Sequence, residues 1–299
     1  MAKLAFLGTP QMAVPPLRAL VDAGHEITLC VTRPDRRRGR RGHEAPSPVK
    51  EAATALGLPV SHDMHDLLEA DAELAVVVAF GRIIPADILA VVPMVNLHFS
   101  LLPRWRGAAP VERAILAGDR ETGVCVMKVE EGLDTGPVYA VRTVPLDDDV
   151  TLAELRERLT DVGAALLVEV LAGGIAALPQ PQPQRGEPTI ATKITPAELE
   201  LRWEEPAVHL ARVVRLGRAW TTFRGKRLGV LDAAPEGAGT ATPRPSLDLA
   251  PGTLDGLSVA TGEGTLRLRR VQPESRSPMS ADDWIRGVRP VVGERLGTD

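Results

Sequence analysis

Apolar and polar positions along the first 171 residues follow two alternating rhythms. Leu4–Leu7 is a short apolar run closed by Gly8-Thr9-Pro10, which predicts a buried strand ended by a turn. Pro15 and Pro16 then fit the first turn of a helix running to about Ala23, and Gly24 ends it. The alternation repeats: strand Ile27–Thr32, helix Pro48–Leu56, strand Ala75–Phe80, helix Pro85–Val91, strand Met94–Phe99 and helix Gly107–Ala117. Strands apolar throughout and separated by helices predict an α/β domain with a mainly parallel sheet covered on both faces. Val124–Val129 and Val138–Val144 read as a strand pair around the loop Glu130–Pro137, and Thr151 with Glu154 forms a capping box opening a helix to Leu171.

The rhythm changes after that helix. Leu178–Pro188 (LPQPQPQRGEP) is rich in proline and glutamine, holds no regular element and marks a boundary. A connector follows to about Trp203, then a short helix at Pro206–Val214. Strand-like runs come next at Trp220–Phe223, Arg227–Leu231, Leu257–Thr261 and Thr265–Val271. Short strands with glycine-rich turns predict a small β-barrel. The chain therefore divides into residues 1–188, a linker over 189–203, and residues 204–299. Pro235–Pro251, rich in Gly, Pro and Ala, reads as a loop, and no internal repeat is present.

Composition narrows the class. At 44% hydrophobic and 25% charged, the chain is that of an ordinary globular protein. With aromatics at 3%, aliphatic side chains must carry the core. No apolar run reaches the roughly eighteen residues of a membrane span. The chain enters a strand pattern at once, with no signal-peptide pattern, so a cytoplasmic location is expected. Cys30 and Cys125 lie inside apolar strands and read as buried reduced thiols. The net charge of −4 argues against general affinity for nucleic acid, but its distribution does not. Arg33–Arg41 (RPDRRRGRR) holds six arginines against one aspartate. From Glu200 to Asp299 there are 15 basic and 13 acidic residues, +2, leaving −6 for the rest. A basic loop and a mildly basic tail on an acidic body fit a partner gripped by its phosphates; a solvated surface run is the plainer alternative.

The candidate chemistry lies in Val95–Pro110 (VNLHFSLLPRWRGAAP). Side chains at i and i+2 of a strand share a face, so Asn96 and His98 project together from the strand's end. An amide donor and a titratable base beside a polar loop suit reaction at a polarised carbonyl. A satisfied histidine at a strand end is the bland alternative. Other chemistries fit less well. Gly8-Thr9-Pro10 lacks the G-x-G-x-x-G spacing and puts a proline where a pyrophosphate needs a backbone donor. His62-x-x-His65 has metal-like spacing without a third ligand. Ser100 beside His98 is not read as a hydrolase pair.

The run N-x-H-x-S-L-L-P-x-x-R-G-x-x-P from Asn96 to Pro110 resembles the folate-dependent formyltransferases. So do MAKLAFLGTPQMAVPPLRAL at the start, PSPVK at Pro46–Lys50, GRIIP at Gly81–Pro85 and GLDTGPV at Gly132–Val138. The resemblance is tight to about Lys193 and looser beyond. It implies a Rossmann-like formyltransferase domain followed by an OB-like C-terminal domain. It implies 10-formyltetrahydrofolate as cosubstrate without a metal, and the amino group of charged methionyl initiator tRNA as acceptor. Neither a membrane nor a protein partner is implied. Asn96, His98 and Asp134 match the family's catalytic Asn, His and Asp. Ser100, Leu101, Leu102 and Pro103 match folate contacts, and Phe80–Pro85 the pterin pocket. The Arg33–Arg41 loop and the C-terminal domain are the expected tRNA grips. The chain departs from the pattern with Arg40 and Arg41 in place of lysines, with Gln11-Met12 in place of Glu-Phe, and with RLGRAWTT at Arg215–Thr222 in place of a proline-rich stretch. Two rival functions remain: formylation of a small amine, such as an amino sugar nucleotide or glycinamide ribonucleotide, and an idle RNA-binding protein.

Overall fold

A computed structural model describes residues 1–37, 44–236 and 249–298. It divides into two compact units. The first comprises Met1–Val111, Arg120–Leu146 and Leu155–Thr192; the second comprises Glu112–Asp119, Asp147–Glu154 and Lys193–Asp299.

In chain order the strands up to Thr192 are β1 (Lys3–Gly8), β2 (Glu26–Val31), β3 (Arg36–Arg37), β4 (Glu44–Ala45), β5 (Val60–Ser61), β6 (Leu74–Val78), β7 (Met94–His98), β8 (Arg106–Gly107), β9 (Glu121–Lys128), β10 (Val138–Pro145) and β11 (Ile190–Ala191). The helices are α1 (Val14–Asp22), α2 (Pro48–Ala55), α3 (Ala86–Val91), α4 (Pro110–Ala117) and α5 (Leu152–Leu171). Seven strands form one sheet in the order β10-β9-β7-β6-β1-β2-β5. β5, β2, β1, β6 and β7 run parallel, while β9 and β10 add an antiparallel edge. This is the mainly parallel sheet expected. Its strands are apolar on both faces because the crossover helices cover both. Ala5, Leu7, Val31, Ala75, Phe80, Ile88 and Met94 form one buried cluster, and aliphatic residues dominate it.

Local chemistry sets the element ends. Ser47 caps α2, its Oγ accepting the Lys50 N–H at 3.0 Å, while Pro48 opens the helix. The same hydroxyl lies 2.7 Å from Thr32 Oγ1, after β2. β6 ends two residues earlier than Phe80, because Ala79 turns to φ +47°. The helix expected from Gly107 starts at Pro110, since Arg106 and Gly107 are instead a strand paired with Ile190 and Ala191. Cys30 and Cys125 are buried free thiols, which burial pushes up to about 12 and about 11.

The second unit holds α6 (Ala207–Arg215), β12 (Trp220–Phe223), β13 (Lys226–Pro235), β14 (Leu254–Asp255), β15 (Ser258–Ala260), β16 (Thr265–Pro273), β17 (Met279–Ser280) and α7 (Ala281–Val288). Its strands form one antiparallel sheet, ordered β12-β13-β16-β15-β14 with β17 beside β16, in line with the β-sheet C-terminal domain expected. Trp203, Leu210, Val230, Leu268 and Trp284 pack in its core, and the Phe223 and Trp284 rings meet edge to face at 5.1 Å. Of the Pro235–Pro251 stretch, residues 237–248 lie outside the described residues.

Candidate active site

β1 pairs with β2 on one side and β6 on the other. The chain thus winds outward in one direction, then crosses to the other side of its starting strand. Ligands of open α/β sheets bind outside the strands' carboxyl ends at such a reversal. Gly8-Thr9-Pro10 and Ala79–Arg82 flank this point, and the Thr9 hydroxyl reaches Phe80 O at 3.5 Å. β7, the next strand, carries Asn96 and His98 on one face.

Beyond β7 the chain makes a tight turn held by its own side chains. Ser100 is fully buried; its Oγ donates to Arg104 O at 2.6 Å, and its carbonyl accepts from Cys125 Sγ at 3.0 Å. The hydroxyl is therefore spent inside the turn. Leu101 and Leu102 are half-buried, Pro103 is buried, and Leu102-Pro103 is a cis peptide. Trp105 follows at φ +63°, aiming its carbonyl back at His98.

His98 is 5% exposed, and both ring nitrogens face acceptors. Nε2 lies 2.9 Å from Trp105 O and must donate there. Nδ1 lies 3.6 Å from Asp134 Oδ2.

Asp134 arrives from the loop between β9 and β10. β9 runs antiparallel to β7, with Cys125 opposite His98 and Met127 opposite Asn96, so the following loop folds back across the site. The backbone turns at Asp134 itself, at φ +50°, a conformation that Asp tolerates better than most residues. Its Oδ2 accepts the Gly107 N–H at 2.7 Å, and its Oδ1 lies 3.5 Å from Asn96 Nδ2. Asn96, His98 and Asp134, 38 positions apart at the extremes, thus meet at one point. The Asn96 amide carries a second N–H, and the residue is half-exposed; the site can offer a neutral donor, an imidazole and a carboxylate together.

Several partners of this set had no signature in the sequence. Trp105 O and Gly107 N–H are backbone groups, which no side-chain pattern marks. Gln184, from the Pro/Gln-rich segment, donates Nε2 to Asp134 O at 2.8 Å and to Gly136 O at 2.9 Å.

Ile83 is 88% exposed while Phe80 and Ile84 are buried. His62 Nδ1 bonds Thr32 O at 3.1 Å, whereas His65 lies between Asp63 and Asp87; among the described residues no group of three or more His, Cys, Asp and Glu side chains could hold a metal ion. At either end of the arginine-rich stretch β3 and β4 pair antiparallel, Arg36 opposite Ala45 and Arg37 opposite Glu44. Arg33 donates to Gly81 O, and Lys50 pairs with Asp35 at 2.7 Å. Arg38, Arg40 and Arg41 lie outside the described residues.

Residues 2–171 match the formyl transferase family, and residues 193–289 match the formyl transferase C-terminal domain. The methionyl-tRNA formyltransferase of Methylococcus capsulatus is 42% identical over 320 residues, covering 99% of this chain and 100% of that protein. That of Jannaschia sp. is 41% identical, covering 98% and 99%. Among solved structures, the N-formyltransferase from Helicobacter canadensis, in complex with folinic acid and dTDP-3-aminofucose, superposes with a TM-score of 0.68 at 15% identity, covering 90% of this chain and 99% of that one; this likeness is one of fold. With both domains matched and near-complete coverage at this identity, the chain belongs to the methionyl-tRNA formyltransferase family of formyl transferases.

Proposed function

We propose that the chain transfers the formyl group of 10-formyltetrahydrofolate to the α-amino group of methionyl initiator tRNA. The observation that carries the reading is the convergence of Asn96, His98 and Asp134 at the end of β7, in a chain of this family. The amine nitrogen attacks the formyl carbon and a C–N bond forms, placing negative charge on the formyl oxygen. The second N–H of Asn96 donates to that oxygen, a donor of this kind contributing about 2.7–4 kcal/mol. The bond from carbon to N10 then breaks as the carbonyl re-forms. The proton lost by the amine passes through the His98–Asp134 pair to N10, leaving tetrahydrofolate and the formylated aminoacyl-tRNA.

Ser100–Pro103 and Phe80–Pro85 are the proposed walls of the folate pocket. Because the Ser100 hydroxyl is engaged with Arg104 O, this turn contributes shape more than a side-chain donor. Residues 1–188 are assigned the chemistry and residues 204–299 a share of the tRNA grip, with 189–203 between them. The Arg33–Arg41 loop supplies the nearer grip.

Purified protein with 10-formyltetrahydrofolate should formylate charged initiator tRNA and leave an amino sugar nucleotide and glycinamide ribonucleotide unmodified. Faster formylation of either small amine would transfer the assignment to that acceptor.

A further inference from the structure

The Pro/Gln-rich segment that composition marks as a boundary is bound to both active-site loops. Val138 and Gln182 exchange two backbone hydrogen bonds of 2.8 Å. Trp105 N–H donates to Thr189 Oγ1 at 2.9 Å, and β11 lies against β8. One side chain joins the two loops directly. Gln184 Nε2 bridges the carbonyls of Asp134 and Gly136 at 2.8 and 2.9 Å. Gln184 Oε1 accepts from Arg106 Nε at 3.0 Å and Nη2 at 2.6 Å. Arg106 immediately precedes Gly107, whose N–H holds the Asp134 carboxylate at 2.7 Å. A closed ring of contacts results: Asp134 backbone to Gln184, Gln184 to Arg106, and Gly107 back to the Asp134 side chain.

We propose that Gln184 is a positioning residue for the transfer reaction, fixing the loop from Asp134 to Gly136 so that the Asp134 carboxylate meets His98 and Asn96. Ordinary loop packing would not need both amide hydrogens on a single turn. Here the first acceptor is the carbonyl of the residue that carries the carboxylate. That residue sits at φ +50°, where a non-glycine backbone is held by its surroundings. The carboxylate, 15% exposed, faces the Gly107 N–H, Asn96 and His98, and Gln184 holds the backbone that carries it. Misplacement of a reacting group by about 1 Å costs on the order of 100-fold in rate.

The inference rests on the catalytic reading of Asn96, His98 and Asp134, and the test separates the two. Gln184→Glu keeps an oxygen for Arg106 and replaces the Nε2 donor with an acceptor. Its kcat for formylation of charged tRNA should fall by about 10- to 100-fold, with both KM values within about twofold of wild type. Because Gln184 acts through Asp134, Gln184→Glu added to Asp134→Asn should cause no further loss. Wild-type kcat in Gln184→Glu, or losses that multiply in the double variant, would overturn the proposal. If Gln184→Glu lowers Tm, Gln184→Met, uncharged and of similar length, is carried through the same cycle and read by the same two criteria. Wild-type turnover in Asp134→Asn alone would instead remove the catalytic reading beneath it.

Discussion

Asn96 shows how little of an active-site residue's role is visible one position at a time. On a strand whose other members are all buried, it is half-exposed and faces a carboxylate 3.5 Å away. An amide serves both neighbours: one N–H turns to Asp134 and the other is available to a developing oxyanion. Asn96→Ala should therefore lower kcat by about 10²–10³. KM for 10-formyltetrahydrofolate should change little, because the donor acts on charge that exists only in the transition state. Steady-state kinetics with varied folate checks this, and an effect confined to KM would make Asn96 a ground-state binding group. The i, i+2 spacing of Asn96 and His98 was legible because strand geometry places such a pair on one face. The third member was not derivable from spacing: Asp134 lies in a Gly-flanked loop, where an aspartate before Thr-Gly also fits a simple turn. Resemblance alone picked it out.

At the scale of elements, the β8–β11 pair controls how the site closes. Gly107 adopts φ +116°, and a Cβ there would lie 3.0 Å from Ala191 O. Gly107→Ala should thus cost on the order of 1–3 kcal/mol in backbone strain. It should also draw the Gly107 N–H away from Asp134, so kcat should fall along with the urea midpoint; stability and activity both at wild-type levels would refute this. Most of the longer elements were legible, because runs such as Leu4–Leu7 have no use outside a buried sheet, although helix α7 (Ala281–Val288) was not expected. The two-residue strands were not. Arg36–Arg37 with Glu44–Ala45, and Arg106–Gly107 with Ile190–Ala191, carry no hydrophobic period and form because distant segments supply their partners. For the same reason a segment rich in proline and glutamine read as a boundary, although its Gln182 and Gln184, and Thr189 just after it, bind the loops of the site. At the start of the arginine-rich stretch Arg33 and Asp35 are both engaged, with Gly81 O and Lys50.

Across the whole molecule, charge decides two behaviours. The net charge is −4, so the grip on tRNA proposed for the Arg33–Arg41 loop must be local and sensitive to salt. Each phosphate contact releases counterions, and affinity falls with salt in proportion to their number. Replacing Arg38, Arg40 and Arg41 by alanine should raise KM for charged tRNA strongly and flatten its salt dependence, leaving folate affinity unchanged. Wild-type KM and salt slope in that variant would make the loop a solvated surface run. Acid stability follows a different group. The Arg113 guanidinium and then the Thr195 N–H hold the Glu198 carboxyl at about 2, below its ordinary 4.5. A carboxyl depressed in the folded state contributes stability that is full above 4.5 and is lost as pH falls toward 2. At this exposure solvent screening keeps the contribution modest. The stability gap between wild type and Glu198→Gln should close over that interval and stay constant above it, as denaturant titrations at stepped pH would record. A gap unchanged down to pH 2 would contradict it.

The central claim is that one imidazole–carboxylate–amide set moves the formyl group. It is tested most directly by single-turnover formylation of charged initiator tRNA at saturating 10-formyltetrahydrofolate, comparing wild type with His98→Ala. The rate constant should be lower by about 10²–10⁴ in His98→Ala, with the folate still bound. A variant that transfers formyl at the wild-type rate would contradict it.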